Sequence, residues 1–300
     1  MHTKLLRPFV LSSLLLLALA AHAEPSEGGT LQKIARTGTI NLGHRESSVP
    51  FSYYDAHRQV VGYSHDFMLA AVEGVRQALK LSALTIRLVP ITSQNRIPMV
   101  QNGAVDLECG STTHNRERAR QAGFSVSIFK TSSRLLTRAD AGIHELSDLQ
   151  GRKVVVTAGT TSERQLMLQG DARAERYNTI TAADHGEAFG LLHAGKAAAF
   201  LMDDAMLYGL RAKADRPQDW VVTGKPMASQ VHACMFRKDD PEFKAVVDRS
   251  LKRLMQSGEA LKIYRRWFQS PIPPKNLNLN WPPPDDLLEL YRNPSDQPLG

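Results

Sequence analysis

Cysteine is nearly absent: Cys109 and Cys234 are the only two in 300 residues. There is no C-x-x-C pair, and no thiol near the amino terminus to carry a lipid anchor. An oxidising compartment favours a bridge between two such residues, but spacing alone does not bring their Cα atoms into reach, so bridge and buried thiols both stay open. Other signatures are missing as well. No G-x-S-x-G, H-E-x-x-H or G-x-G-x-x-G occurs, which removes three common enzyme readings. The run GLLHAGK at 190–196 has phosphate-loop spacing, yet Ala197 replaces the magnesium-holding hydroxyl and the segment leaves a helix instead of opening one. It reads as a helix ending at Gly195. The ten histidines lack metal-ligand spacing, and His185 and His193 lie more than two helical turns apart. No Lys/Arg block of five or more occurs, which argues against nucleic-acid binding. No stretch beyond residue 23 resembles a membrane span, and no internal repeat of fixed period is present.

What is present begins with an address. Residues 1–23, MHTKLLRPFVLSSLLLLALAAHA, carry Lys4 and Arg7, an apolar run over 9–20 and Ala-His-Ala before Glu24. That is the three-part layout of a secretory signal. The mature chain is expected to start at Glu24 and to reside in a compartment such as a bacterial periplasm. Losing the signal takes the net charge from +7 to +5, with 35 Lys+Arg against 30 Asp+Glu over 277 residues. Such a length allows two modest domains, and a mildly basic surface favours small anions on encounter.

Short apolar runs alternate with helical patterns, which predicts α/β layers with mainly parallel strands. Strands are expected over 39–43, 84–89 and 105–109, with a helix that Ser64 could cap and a short helix over 96–101. The pattern restarts with ELSDLQG, KVVVT, TSERQLML, RYNTI, a helix near Asp184, AAAFLM and a helix after Asp203. Two similar units suggest two lobes. HACMFRKDD leads back to the first, followed by two amphipathic helices, and the Pro- and Asn-rich residues 271–300 are expected to wrap over a surface.

Polar clusters recur where strands end and helices begin: GHRESS, TSQNR, CGSTTHNRER, AGTTSE, ADHGE and MDDA. In open α/β sheets ligands sit at these carboxyl ends, where free helix N–H groups attract anions. Each residue also has an ordinary explanation. Ser93, Ser111 and Thr161 could be helix caps; Arg45, Arg96 and Arg118 could be solvated charges; Asp203 and Asp204 could start a helix; His185 could lie on the surface.

Long stretches, from LQKIARTGTINLGHRESSVPFSYYD through ITSQNRIPMVQNGAVDLECGSTT, VVVTAGTTSE, DHGEAFGLL and AFLMDDA to FRKDDPEF and PIPPKNLN, resemble the periplasmic amino-acid-binding proteins of ABC importers. This is solute-binding protein family three, and the likeness is strongest to its glutamate/aspartate-binding members. The resemblance implies a type II two-lobed periplasmic binding protein fold. One lobe is expected over 24–131 and 232–270 and the other over 132–231, joined by two crossing hinge segments near 130–133 and 232–236. It also implies a monomer without cofactor or metal, which delivers L-glutamate and L-aspartate to a membrane permease.

By the same resemblance Arg118, Ser111, Thr113 and Thr161 hold the α-carboxylate and Asp203 the ammonium. Arg45 and Arg96, with Ser93 and His185, meet the side-chain carboxylate. Arg suits this because its planar fork binds carboxylate bidentately. The loop also offers Arg116; counting back from the following AGFS favours Arg118, with Arg116 as the fallback. Two other classes compete. An enzyme on this scaffold, of dehydratase or cell-wall hydrolase type, would need Glu46 or His185 as acid or base, and a sensor would need a separate receptor chain.

Overall fold

The computed structural model describes residues 28–172 and 177–299, so the expected signal at 1–23 and its cleavage point lie outside the described residues. The chain opens with α1 (Thr30–Thr37) and β1 (Thr39–His44), then a small meander of β2 (Ser47–Ser48), β3 (Ser52–Tyr54) and β4 (Val60–Val61). There follow α2 (Tyr63–Ala78), β5 (Thr85–Pro90), α3 (Arg96–Gln101), β6 (Leu107–Glu108) and α4 (Arg116–Ala119). The long β7 (Gly123–Arg138) leads to a 3-10 turn (Leu146–Leu149), β8 (Lys153–Thr157), α5 (Thr161–Ala172), β9 (Asn178–Ala182) and α6 (His185–His193). Next come β10 (Ala199–Asp203), α7 (Asp204–Lys213), a second 3-10 turn (Pro217–Asp219) and β11 (Trp220–Thr223). The last elements are β12 (Ser229–Phe236), α8 (Pro241–Gln256), α9 (Glu259–Phe268) and α10 (Asp285–Arg292).

Each lobe is built on three parallel strands. In the first, β1 lies between β5 and β6; in the second, β8 lies between β9 and β10. In the second lobe β8 and β10 are buried along nearly their whole length, as parallel strands are, whereas β1 alternates half-buried and buried positions before closing on Leu42, Gly43 and His44. β12 joins β6 through Met235↔Glu108, and β7 joins β10 from Ser133 to Thr137. Between those pairings β7 and β12 run antiparallel from Ser229↔Ser132 to His232↔Phe129. The lobes are therefore linked by a two-stranded hydrogen-bonded ribbon, and the polar clusters at the strand ends face each other across it.

An aromatic cluster underlies the ribbon. Phe51 meets Phe129 edge to face at 4.8 Å, and His232 packs on both rings. Ser64 is not a cap: the helix begins one residue earlier, after Gly62, and the buried Ser64 hydroxyl donates to the Gly110 carbonyl at 2.8 Å. The carboxyl-terminal residues pack on both lobes, with Tyr53 Oη donating to the Pro273 carbonyl (2.8 Å) and Lys275 paired with Asp215 (2.7 Å). They also contain α10, a helix that the Pro/Asn-rich composition hides. Its Leu287, Leu290 and Tyr291 share one buried face, and Asp285 and Asp286 favour its amino end.

Cys109 and Cys234 form a disulfide with a Cα–Cα separation of 4.3 Å, which settles the alternative the sequence leaves open. It fastens the end of β6 to the strand returning from the second lobe, closing a loop with a sequence separation of 125 residues. Loss of so long a loop constraint in a Cys109→Ser/Cys234→Ser double variant should lower the unfolding free energy by about 2–5 kcal/mol in urea titrations. An unchanged midpoint and slope would show that the bridge contributes nothing to stability.

Candidate functional site

The nine residues singled out from the sequence come together at the carboxyl ends of the parallel strands. Arg45 follows β1, Ser93 and Arg96 follow β5, and Ser111, Thr113 and Arg118 follow β6; Thr161 follows β8, His185 follows β9, and Asp203 ends β10. Surface readings fail for the charged members. Arg45 is 1% exposed, Arg96 2%, Arg118 8%, Asp203 1% and His185 1%. Ser93, Ser111 and Thr113 are buried and Thr161 is half-buried.

Capping does not explain the hydroxyl residues either, because their neighbours do that work. Thr92 and Asn95 exchange hydrogen bonds before α3, Asn115 accepts from the Arg118 amide at the start of α4, and Thr160 Oγ1 accepts from the Glu163 amide at the start of α5. Ser93 Oγ is left with no partner among the described residues.

Arg118 rather than Arg116 enters the crevice. Its guanidinium donates to the carbonyls of Thr113 and Gly159, both at 3.0 Å. Arg116 is exposed and lines, with Glu117, Arg120 and Arg164, a groove that reaches Thr113, Thr161 and Gln230 from the solvent side. Two positions along a helix point to nearly opposite sides, so one of the pair had to face away.

Arg45 Nη2 donates to His185 Nε2 at 3.4 Å, and Arg96 Nη1 donates to Thr112 Oγ1 at 2.8 Å. Arg45 Nη1 and Arg96 Nε are buried without a partner among the described residues. Burial and the neighbouring Arg96 pull Arg45 down to about 10, and burial followed by the charge of Arg96 brings Arg118 to about 9. Burial lowers Arg96 too, opposed by Glu108 and Asp203. All three remain cationic at neutral pH while repelling one another.

His185 shows why it makes a poor acid or base. Burial, then the charges of Arg45, Arg96 and His232, hold it well below the ordinary imidazole range. Neutral, it donates from Nδ1 to Thr157 Oγ1 (2.9 Å) and accepts from Arg45 at Nε2. No lone pair is left for a substrate proton.

Several participants carry no signal in the sequence pattern. His232, fully buried, donates from Nε2 to Asp203 Oδ2 at 2.8 Å. Gln230 spends its whole carboxamide: Oε1 accepts from Thr113 (2.8 Å) and Thr161 (2.7 Å), and Nε2 donates to Ser133 (2.8 Å) and toward Asp203 (3.4 Å). Both lie on one face of β12, two residues apart. Glu108 and Thr112 join the arginines from β6 and the loop after it. An isolated His or Gln in a strand gives no hint of this; only the pairing of β12 with β7 and β6 does.

The lobes are closed on each other. Besides the Arg45–His185 and Arg118–Gly159 contacts, the Gly186 amide donates to Ser47 Oγ (3.2 Å), and Glu117 pairs with Arg164. Gly159, at φ 73°, brings the start of α5 so near Ser93 that a Cβ would lie 2.8 Å from the Ser93 carbonyl. Only glycine accepts both that angle and that approach.

Residues 40–270 match the profile of the bacterial extracellular solute-binding proteins, family 3. The chain is 50% identical over 282 residues to a glutamate/aspartate import solute-binding protein of Salmonella typhimurium, covering 93% of each. It is 52% identical over 270 residues to an L-glutamate/L-aspartate-binding protein of Pseudomonas aeruginosa, covering 90% of this chain and 89% of the relative. Among solved structures, a Streptococcus pneumoniae ABC uptake transporter substrate-binding protein with bound histidine superposes with a TM-score of 0.72. It is 20% identical, and the match covers 83% of this chain and 99% of that one.

Buried imidazoles give the fold a pH dependence. Burial lowers His44, His65 and His185, and brings His114 to about 4. The unfolded chain takes up protons at these rings as pH falls through about 6.5 whereas the folded chain does not, so their contribution is complete above that pH and is lost below it. The urea midpoint should fall from pH 7.5 to 5.5, and less steeply in His185→Gln; a midpoint that rises on acidification contradicts this.

Proposed function

Because the chain belongs to the bacterial extracellular solute-binding proteins, family 3, we propose that it captures L-glutamate and L-aspartate between its lobes and delivers them to an ABC permease, without chemical turnover. One observation carries this reading: three buried guanidiniums, two of them with N–H atoms that have no partner among the described residues, stand at the strand ends with the buried Ser93 hydroxyl and the Asp203 carboxylate. A dicarboxylic amino acid supplies two anionic groups and one cation to such a set. Arg118 with Ser111, Thr113 and Thr161 takes the α-carboxylate, Asp203 the ammonium, and Arg45, Arg96 and Ser93 the second carboxylate, with His185 contributing through its hydrogen bond to Arg45.

Contacts divided between residues 24–131 with 232–270 on one side and 132–231 on the other favour closure, since only the closed form makes both sets. Secretion to the periplasm with cleavage after Ala23 follows from the amino-terminal pattern.

Calorimetry is the test. L-glutamate and L-aspartate should bind at micromolar concentration or tighter and be recovered unaltered; absence of heat with both refutes the ligand assignment. An amide leaves a buried guanidinium uncompensated, at about 2–5 kcal/mol, so L-glutamine should bind about thirty-fold or more weakly. Arg45→Ala and Arg96→Ala should each cost a similar factor for the acids; affinities within about threefold of the parent would remove these residues from the side-chain pocket. Arg118→Ala should weaken every α-amino acid, whereas Arg116→Ala, an exposed charge, should stay within about threefold.

A further inference from the structure

Glu108 has no place in the ligand set above, yet it is fully buried at the end of β6 in the midst of the arginines. One carboxylate oxygen accepts from Thr112 Oγ1 at 2.7 Å, and that hydroxyl in turn accepts from Arg96 Nη1 at 2.8 Å. The other oxygen, Oε1, has no hydrogen-bond partner among the described residues. It lies beneath Gly110, where a Cβ would be 2.6 Å from Oε1 and 3.1 Å from Arg45 Cγ. A side chain at position 110 would push the carboxylate away from the arginine stem. The Glu108 charge acts on Arg45, Arg96 and Arg118 alike.

The buried charges of the crevice are then three guanidiniums against the two carboxylates of Glu108 and Asp203, one positive charge in excess. The other buried acids belong elsewhere, Asp106 to Lys33 and Asp240 to the Thr30 amide. L-glutamate and L-aspartate each carry one net negative charge. Asp203 alone would leave an excess of two, a match for a dicarboxylate that lacks the ammonium.

We propose that Glu108 is a specificity-determining residue: a resident counter-anion, not itself a ligand group, that sets the crevice at one positive charge and so matches it to dicarboxylic amino acids over dicarboxylates of the same length. The inference rests on the ligand reading given above. Geometry assigns Glu108 a second task, holding Arg96 through Thr112 at a fixed place when the lobes open.

The test compares wild type with Glu108→Gln, which keeps the shape and removes the charge, by calorimetry with L-glutamate and with glutarate, its analogue without the amine. Removing one unit charge a few ångströms away in a protein-like dielectric should shift the affinity ratio toward glutarate by about tenfold or more. A folded Glu108→Gln protein whose ratio stays within about twofold of wild type overturns the proposal, since a purely structural carboxylate would affect both ligands equally. If wild type fails to bind L-glutamate at all, the ligand reading has failed instead. A second readout needs no substitution: the 13C shift of the Glu108 side-chain carboxyl in the unmodified protein should report an ionised group at pH 7 with and without L-glutamate. A protonated carboxyl in either state overturns the proposal even if the variant does not fold.

Discussion

Mutual repulsion among Arg45, Arg96 and Arg118 is the constraint to which the rest of the crevice responds. Each guanidinium has given up most of its hydration, a loss that only good partner geometry offsets. Charge comes from Glu108 and Asp203, and hydrogen bonds from Thr112, the Thr113 and Gly159 carbonyls and His185. None of these partners is free to drift. They stand at the ends of strands whose other residues form the core, and the Cys109–Cys234 bridge fixes β6 to β12 immediately beside Glu108. The cost of assembling like charges is thus met by the whole fold, and a doubly acidic ligand relieves part of it on binding.

The same arrangement links recognition to motion. The Arg45–His185 and Arg118–Gly159 contacts each cross from one lobe to the other. Gln230 lies on the ribbon itself and holds Thr113 of the first lobe and Thr161 of the second through one carbonyl oxygen. A ligand that takes over these hydroxyls at its α-carboxylate therefore acts at the hinge and at both walls together. Asp204 reinforces the coupling by accepting from Thr131 on β7 at 2.6 Å, while the adjacent Asp203 turns into the crevice.

Much of this is legible in the sequence. Buried parallel strands announce themselves as short apolar runs, and the polar clusters after them lie where a sheet of this kind gathers its ligands. Arg45, Arg96, Asp203 and His185 follow from that placement joined to the family resemblance. Arg118 over Arg116 follows from counting back from AGFS, but its physical reason, the register of the four-residue helix α4 that Asn115 sets, does not show in the pattern. Thr160 caps α5 where the sequence pattern suggests Thr161, a difference of one position that pattern does not resolve. Glu108, Gln230 and His232 are hidden for another reason: each matters through strand pairs far apart in the chain, and periodicity records which face a residue occupies, not what lies opposite. Helix α10 was obscured by its Pro-rich surroundings, although DDLLELYR carries both the acidic first turn and the apolar stripe.

A crystal structure of the L-glutamate complex tests the central claim most directly. The account predicts a closed crevice in which the side-chain carboxylate lies within hydrogen-bonding distance of Arg45 and Arg96, the α-carboxylate is held by Arg118, and the ammonium meets Asp203. A bound glutamate whose side-chain carboxylate points to solvent, with Arg45 and Arg96 uninvolved, would contradict it.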